Sequence, residues 1–388
     1  MLDSLIIKNF RCLEDFSVEK LGRVNLIVGK NNSGKSTVLE ALRLYAGNAQ
    51  RPLLETIAIE RDERTRIGET EQGDYEAALP YQDFFTGRLF PADESRCIQI
   101  GSLEIPDARL TIEHIFASEV LENIENGPTN EAFMRTRYQV VSKEDAEKSA
   151  DDLIHALKIS KGSRLFPLIL LDRPISRARM AMVEGNGSVP FSMVGTQISS
   201  PDELADVWDK IVFTKHQDVV KQAMQIIAPE FENLTFVRSD VPRGSLARAG
   251  MQRGAKVKLS NELRPVPLNS LGDGMMRVLQ LALKIFPAKG GFLLIDEFEN
   301  GLHYSVQQRV WELLFEMALR LDIQVFATTH SWDCIESFSK VANDRKDIDG
   351  MLFRMGRSVR NSDRGRVIAT VFDEAALFNI TQADAEVR

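Results

Sequence analysis

The residues with the clearest chemical purpose are Gly29-Lys30-Asn31-Asn32-Ser33-Gly34-Lys35-Ser36, which fit the pattern G-x-x-x-x-G-K-[ST]. Glycines at such a turn let several backbone N–H groups converge on one anion. Val24-Asn25-Leu26-Ile27-Val28 before it reads as a buried strand, and Thr37 to Leu44 after it reads as a helix whose N-terminus adds positive partial charge. A polyphosphate suits that cradle. Lys35 would reach the β- and γ-phosphates, Ser36 would ligate Mg2+, and Thr37 would bond the α-phosphate. The second chemical stretch is Phe292-Leu293-Leu294-Ile295-Asp296-Glu297, an apolar run typical of a parallel strand that ends in two acids. Asp296 would hold Mg2+ through its water shell, and Glu297 would orient or deprotonate an attacking water. The two stretches together predict binding and hydrolysis of ATP.

Two further pieces refine the chemistry. Leu268-Asn269-Ser270-Leu271-Gly272-Asp273-Gly274 precedes a helical run from Met275 to Ile285, so a glycine-lined helix start again favours an anion, although a plain helix cap has the same pattern. His330 follows the strand-like run Ile323 to Thr329, one helix and one strand beyond Glu297. That is where a sensor of the γ-phosphate would lie; the plainer alternative is a polar residue at a strand end.

Five stretches in this order resemble the ABC-type ATPases of the SMC, RecF and OLD (overcoming lysogenisation defect) group: Asn9-Phe10-Arg11, the P-loop, Ser270 to Gly274, Asp296-Glu297 with Asn300-Gly301-Leu302-His303, and Thr329-His330-Ser331. They cover the two ends of the chain. The resemblance implies an α/β P-loop NTPase of ABC-ATPase type, with a mixed central β-sheet flanked by helices, an N-terminal antiparallel β subdomain and a helical insertion. It also implies that two heads meet face to face, each ATP held between one P-loop and the other subunit's signature. The partner would then be the protein itself, in a homodimer or a higher even-numbered assembly. Ser270, Gly272 and Gly274 would act in trans, Asn300 to His303 would touch the opposing site, and Arg11 would lie near the phosphates. Gly272 and Asp273 stand where transporter signatures carry serine and glycine, which leaves Ser270 as the candidate hydroxyl. Gln82 is the candidate for the family's glutamine loop.

The elements that must position these residues follow from pattern. Residues 2–28 read as two or three strands and the P-loop helix as running to Ala46; Glu60 to Glu76 reads as an acidic loop. Residues 97–116 read as a strand pair turning at Pro106-Asp107, Asp145 to Ile159 as an amphipathic helix, and Leu165 to Leu171 as a core strand. Asp202 to Val212 and Gln217 to Ile227 read as helices. The expected division is a first ATPase lobe over 1–175, a mostly helical insertion over 176–231, and a second lobe over 232–388.

Composition bounds the rest. The chain has 388 residues, 44% hydrophobic and 27% charged, which is globular composition. Three cysteines lack C-x-x-C spacing, and neither a signal peptide nor an apolar run of membrane-spanning length is seen, so a cytoplasmic location without a membrane partner is expected. A net charge of −8 argues against indiscriminate coating of nucleic acid. Locally, Arg238, Arg243, Arg248, Arg253, Lys256 and Lys258 share a segment whose one acid is Asp240. That segment could contact DNA or an acidic phage protein; a strand pair with basic edges is the plainer alternative. Arg354, Arg357, Arg360, Arg364 and Arg366 read as hairpin edges.

The short stretch after His330 suggests no fused Toprim nuclease. The leading expectation is therefore a standalone OLD-like ATPase of a bacterial antiphage system. It would control a separately encoded effector such as a Toprim-type nuclease, as in PARIS-like two-gene systems. A RecF-like ATPase of DNA repair is the alternative. A transporter ATPase is disfavoured, because no coupling element is identifiable.

Overall fold

The computed structural model describes residues 1–388 except 64, 70–74, 79, 94–95, 125–132, 143–152, 172–187, 239–252, 361–362, 364 and 373–388. Strands β1 (Leu5–Phe10) and β2 (Leu13–Val18) form a hairpin, and β3 (Val24–Gly29) then leads into helix α1 (Lys35–Ala46). Helix α2 (Arg51–Glu60) is followed by the hairpin of β4 (Thr65–Glu69) and β5 (Tyr75–Ala78). The stretch read as an acidic loop thus holds β4 and the start of β5, strands too short to show a hydrophobic alternation.

Next come β6 (Ile98–Gly101), β7 (Leu110–Ile124), β8 (Phe133–Val141), β9 (Ile154–Lys161), β10 (Arg164–Leu165) and β11 (Ile169–Leu170). With β1 and β2 they make an antiparallel sheet ordered β10-β9-β7-β6-β1-β2, in which β11 also pairs with β9 and β8 with β7. The turn at Pro106–Ala108 falls where the sequence places it. The helix expected over Asp145 to Ile159 is a correction. Its described part is β9, which pairs with β7 from Ile154 to Lys161; residues 145–152 lie outside the described set. Ile154 and Ile159 are β-branched, and eight residues of ladder outweigh a short helical period. The expected core strand Leu165 to Leu171 is split into β10 and β11 around Pro167, which has no N–H for a ladder.

β12 (Phe191–Val194) follows, then α3 (Pro201–Ile211) and α4 (His216–Gln225), within two residues of their expected ends. The Ser200 hydroxyl caps α3 by accepting from the Glu203 N–H at 3.2 Å. β13 (Phe231–Arg238), β14 (Arg253–Leu259) and β15 (Val266–Pro267) form a small sheet, so the described part of the basic segment is a strand pair; Arg243 and Arg248 lie outside the described residues. The chain then runs through α5 (Asp273–Lys284), β16 (Phe292–Ile295), α6 (Tyr304–Arg320), β17 (Gln324–Thr329), α7 (Trp332–Asp344), β18 (Gly350–Arg357) and β19 (Val367–Phe372).

The central sheet is ordered β12-β16-β17-β3-β18-β19, parallel except for the last pair. Alternation along its strands separates two cores. Leu26, Val28, Leu293, Ile295, Val325 and Ala327 face α3 to α7. Ile27, Phe292, Leu294 and Phe326 face α1 and the antiparallel sheet. β12 was not foreseen: four residues between polar stretches give little period, and pairing with β16 is what makes them a strand. Its role is to bring Gly195-Thr196-Gln197 to the same end of the sheet as Asp296.

Candidate active site: a nucleotide-binding cleft

Parallel pairing of β16, β17 and β3 brings the C-terminal ends of three strands together, where ligands of open α/β sheets bind. The P-loop leaves β3 at Gly29, where a Cβ would stand 2.6 Å from the Met355 carbonyl oxygen, so only glycine permits the approach of β18. Gly34 takes φ 94° at the head of α1, a left-handed conformation glycine supplies without strain. Lys35 Nζ donates to the carbonyl oxygens of Gly29 (2.8 Å) and Lys30 (3.2 Å), so its ammonium folds back over the turn. Burial lowers the Lys35 pKa, and Asp296, Glu297 and Glu299 offset part of that cost.

Ser36 Oγ donates to Asp296 Oδ1 at 3.1 Å across 260 positions of sequence. Thr328 Oγ1 donates to the same oxygen at 2.6 Å and accepts the Glu297 N–H at 2.9 Å. Thr328 therefore ties both acids to β17, a role that its place in an ordinary strand pattern did not disclose. Glu297 has φ 49°, unusual for a residue with a Cβ, and persists because its N–H and its carbonyl are both held. The holder of the carbonyl is Arg277 on α5, 2% exposed, whose guanidinium donates to the carbonyl oxygens of Gly195 (2.6 Å), Asp296 (2.9 Å) and Glu297 (2.8 Å). Burial lowers the Arg277 pKa to about 10, which still leaves it cationic at neutral pH. Sequence reading passed over Arg277, because one arginine in a helix signals nothing until the strand ends are in place.

The P-loop, Asp296, Glu297 and Arg11 line one cavity of about 1440 Å3. Gln197 also lines it; Gln82, the earlier candidate for the glutamine loop, does not. Arg11 reaches the cavity with its charge already engaged. Its two Nη atoms donate to Glu63 at 2.6 and 2.8 Å, and its Nε lies 2.9 Å from Glu40 Oε2. His330 Nδ1 lies 3.1 Å from Glu299 Oε1 and 3.9 Å from Glu297 Oε1.

His330 and the signature residues Ser270, Gly272 and Gly274 stand apart from that lining. Ser270 is exposed and its Oγ donates to the Pro267 carbonyl at 2.6 Å; Gly272 has φ 91° at the head of α5. A Cβ on Gly274 would meet the Gly301 carbonyl at 3.0 Å, so the loop from Asn300 to His303 packs closely on the signature helix. Asn300 Nδ2 fastens that loop by donating to the Thr196 carbonyl at 2.7 Å.

The residues present suit a magnesium–triphosphate ligand. Ser33 Oγ is buried with no hydrogen-bond partner among the described residues, a polar vacancy in the middle of the P-loop that a phosphate oxygen would satisfy. Ser36 and Asp296 converge as a hydroxyl and one carboxylate, the sparse oxygen set that Mg2+ takes alongside phosphates and water.

Comparison with known proteins agrees with this chemistry. A family model described as "AAA ATPase domain" matches residues 1–164, and one described as "AAA domain, putative AbiEii toxin, Type IV TA system" matches residues 198–333. An ATP/GTP phosphatase of Helicobacter pylori is 23% identical over 89% of this chain and 89% of its own length. An OLD nuclease of Thermus scotoductus is 25% identical over 90% of this chain, which spans 63% of that protein. Among solved structures, an Smc head domain from Pyrococcus furiosus bound to the C-terminal domain of ScpA aligns with 99% of this chain and 99% of that one, at 12% identity and a TM-score of 0.46. Among the described residues no helix is long and apolar enough to cross a membrane. With the phosphate cradle, the paired acids and both ATPase-domain matches in place, the chain is a P-loop ATPase similar to the ATP/GTP phosphatase and to the OLD nuclease.

Proposed function

We propose that the chain binds ATP with Mg2+ in the P-loop cavity and cleaves it with Glu297 as general base, in assemblies where two copies face each other. The observation that carries this reading is the meeting of Ser36, Thr328 and Asp296 beside a strained Glu297 at the mouth of the P-loop. When bound, Mg2+ and the triphosphate supply an electrophilic phosphorus and shield the charge that develops on it. Lys35 exchanges its two carbonyl contacts for the β- and γ-phosphates. Ser36 and Asp296 would hold the metal, Glu297 would take the proton of the attacking water, and His330 would bond the γ-phosphate. Ser270 and Gly272 are exposed at the head of α5 and outside their own cavity, which supports their use on the ATP of a second copy. The assembly is then a homodimer or a larger even-numbered set.

Glu297→Gln is the test. It keeps side-chain volume and hydrogen bonding while removing the base, so ATP affinity should stay within about threefold and turnover should fall about 10^2- to 10^4-fold. Wild-type turnover in this variant would remove Glu297 from its role.

For the biological role, the reading is a bacterial antiphage ATPase that controls a separately encoded effector, such as a Toprim-type nuclease. The OLD nuclease relative and the toxin–antitoxin description of the second family match support it. Co-expression with the product of an adjacent gene, scored by cell growth and phage plating, tests it; masked toxicity is expected, and indifference to that gene overturns it. The RecF-like alternative gains little from the described part of the basic segment. There Arg253 is bound by Asp202, Asp206 and Asp209, and Lys258 pairs with Glu232 at 2.7 Å.

A further inference from the structure

Glu299 stands two residues past Glu297, in the turn between β16 and α6. Its side chain is 12% exposed, and Oε1 serves a single neighbour twice, accepting the His330 backbone N–H at 2.9 Å with the His330 Nδ1 at 3.1 Å. Its other oxygen, Oε2, is buried without a hydrogen-bond partner among the described residues. A carboxylate withdrawn this far from water is costly, and His330 alone compensates it, through Oε1. The backbone bond fixes the turn after β17. The ring contact places Nδ1 3.1 Å from the carboxylate, which favours a proton on Nδ1 and leaves Nε2 on the far side of the ring. The same contact holds Nδ1 nearer to Glu299 than to Glu297, whose Oε1 is 3.9 Å away. The carboxylate of Glu297 is thereby left for water.

We propose that Glu299 is a positioning residue for hydrolysis, which fixes the tautomer and orientation of His330 so that Nε2 is presented to the γ-phosphate and Glu297 stays unengaged. The inference rests on the roles given to His330 and Glu297 under Proposed function. Glu299 touches neither nucleotide nor metal in this scheme and acts through the imidazole alone.

Five proteins test it: wild type, Glu299→Ala, Glu299→Gln, His330→Ala, and the Glu299→Ala/His330→Ala double variant. Steady-state hydrolysis gives kcat and KM, and binding of a fluorescent ATP analogue gives nucleotide affinity. Glu299→Ala should lower kcat about 10- to 100-fold, with KM and affinity within about threefold. Glu299→Gln keeps an acceptor oxygen for both bonds and should recover to within about threefold of wild type, a rescue that a loss of folding would not show. The double variant should be no slower than His330→Ala alone. Multiplying defects, with His330→Ala itself slow, would overturn the Glu299 inference and leave the His330 assignment standing. Loss of affinity with kcat retained would also overturn it. Wild-type turnover in His330→Ala would remove the His330 assignment and the positioning role together.

Discussion

Lys35 has a lowered pKa because burial penalises its ammonium, and the three carboxylates around it return part of that cost. A triphosphate brings far more negative charge to the same place, so the gain on binding is concentrated in this side chain. Lys35→Ala should weaken ATP binding about 10- to 100-fold, the worth of losing charge-assisted hydrogen bonds of about 1.5–3 kcal/mol. Titration with a fluorescent ATP analogue reads it, and undiminished affinity would take Lys35 out of the site. At this scale the sequence was informative where chemistry is bound to spacing: the P-loop, Asp296 and Glu297 share one cavity. It was silent on Thr328, Arg277 and Glu299, each of which acts on a neighbour more than 18 positions away. No local pattern encodes such a partner; the strand order does.

Among the elements, α1 matters most, because it carries Lys35 and Ser36 at one end and is tethered at the other. Near its C-terminus Lys161 of β9 donates to the Tyr45 carbonyl at 2.9 Å and lies 3.7 Å from the Tyr45 ring centroid. Burial lowers the Lys161 pKa from 10.5 to about 8. Between those values the unfolded chain binds more protons at this lysine than the folded one, so stability rises with pH across the window. Tyr81, raised to about 12, and Arg277, lowered to about 10, change protonation on folding only above about pH 10. Above about pH 9 the buried Cys334 thiol, held protonated by burial, opposes this gain. Thermal melts should therefore show a gain between about pH 8 and about pH 9 that Lys161→Met reduces; equal slopes in both proteins would contradict the burial argument. Legibility differed by element for physical reasons. α1, α3 and α4 have caps, prolines or apolar faces within their own sequence. By contrast β12 and β9 become strands through pairing with β16 and β7, and a four-residue run or a stretch with two compatible periods cannot announce that.

At the scale of the whole molecule, a mixed central sheet has one core on each face, and the antiparallel sheet and the helices of the second half cover opposite sides. Folded this way, one copy lines the P-loop cavity and leaves the exposed turn of Ser270 and Gly272 outside it, a turn that the proposed pairing of copies would place over a second P-loop. That separation is why association between copies is central to the account. It is tested most directly by mixing two inactive variants, Lys35→Ala, which lacks a working P-loop, and Ser270→Arg, which blocks an exposed signature. Paired at random, half of the dimers hold one intact composite site, so hydrolysis should return to roughly a quarter of the wild-type rate. Hydrolysis that stays at the level of the separate variants, while each still binds its partner, would contradict a site shared between two copies.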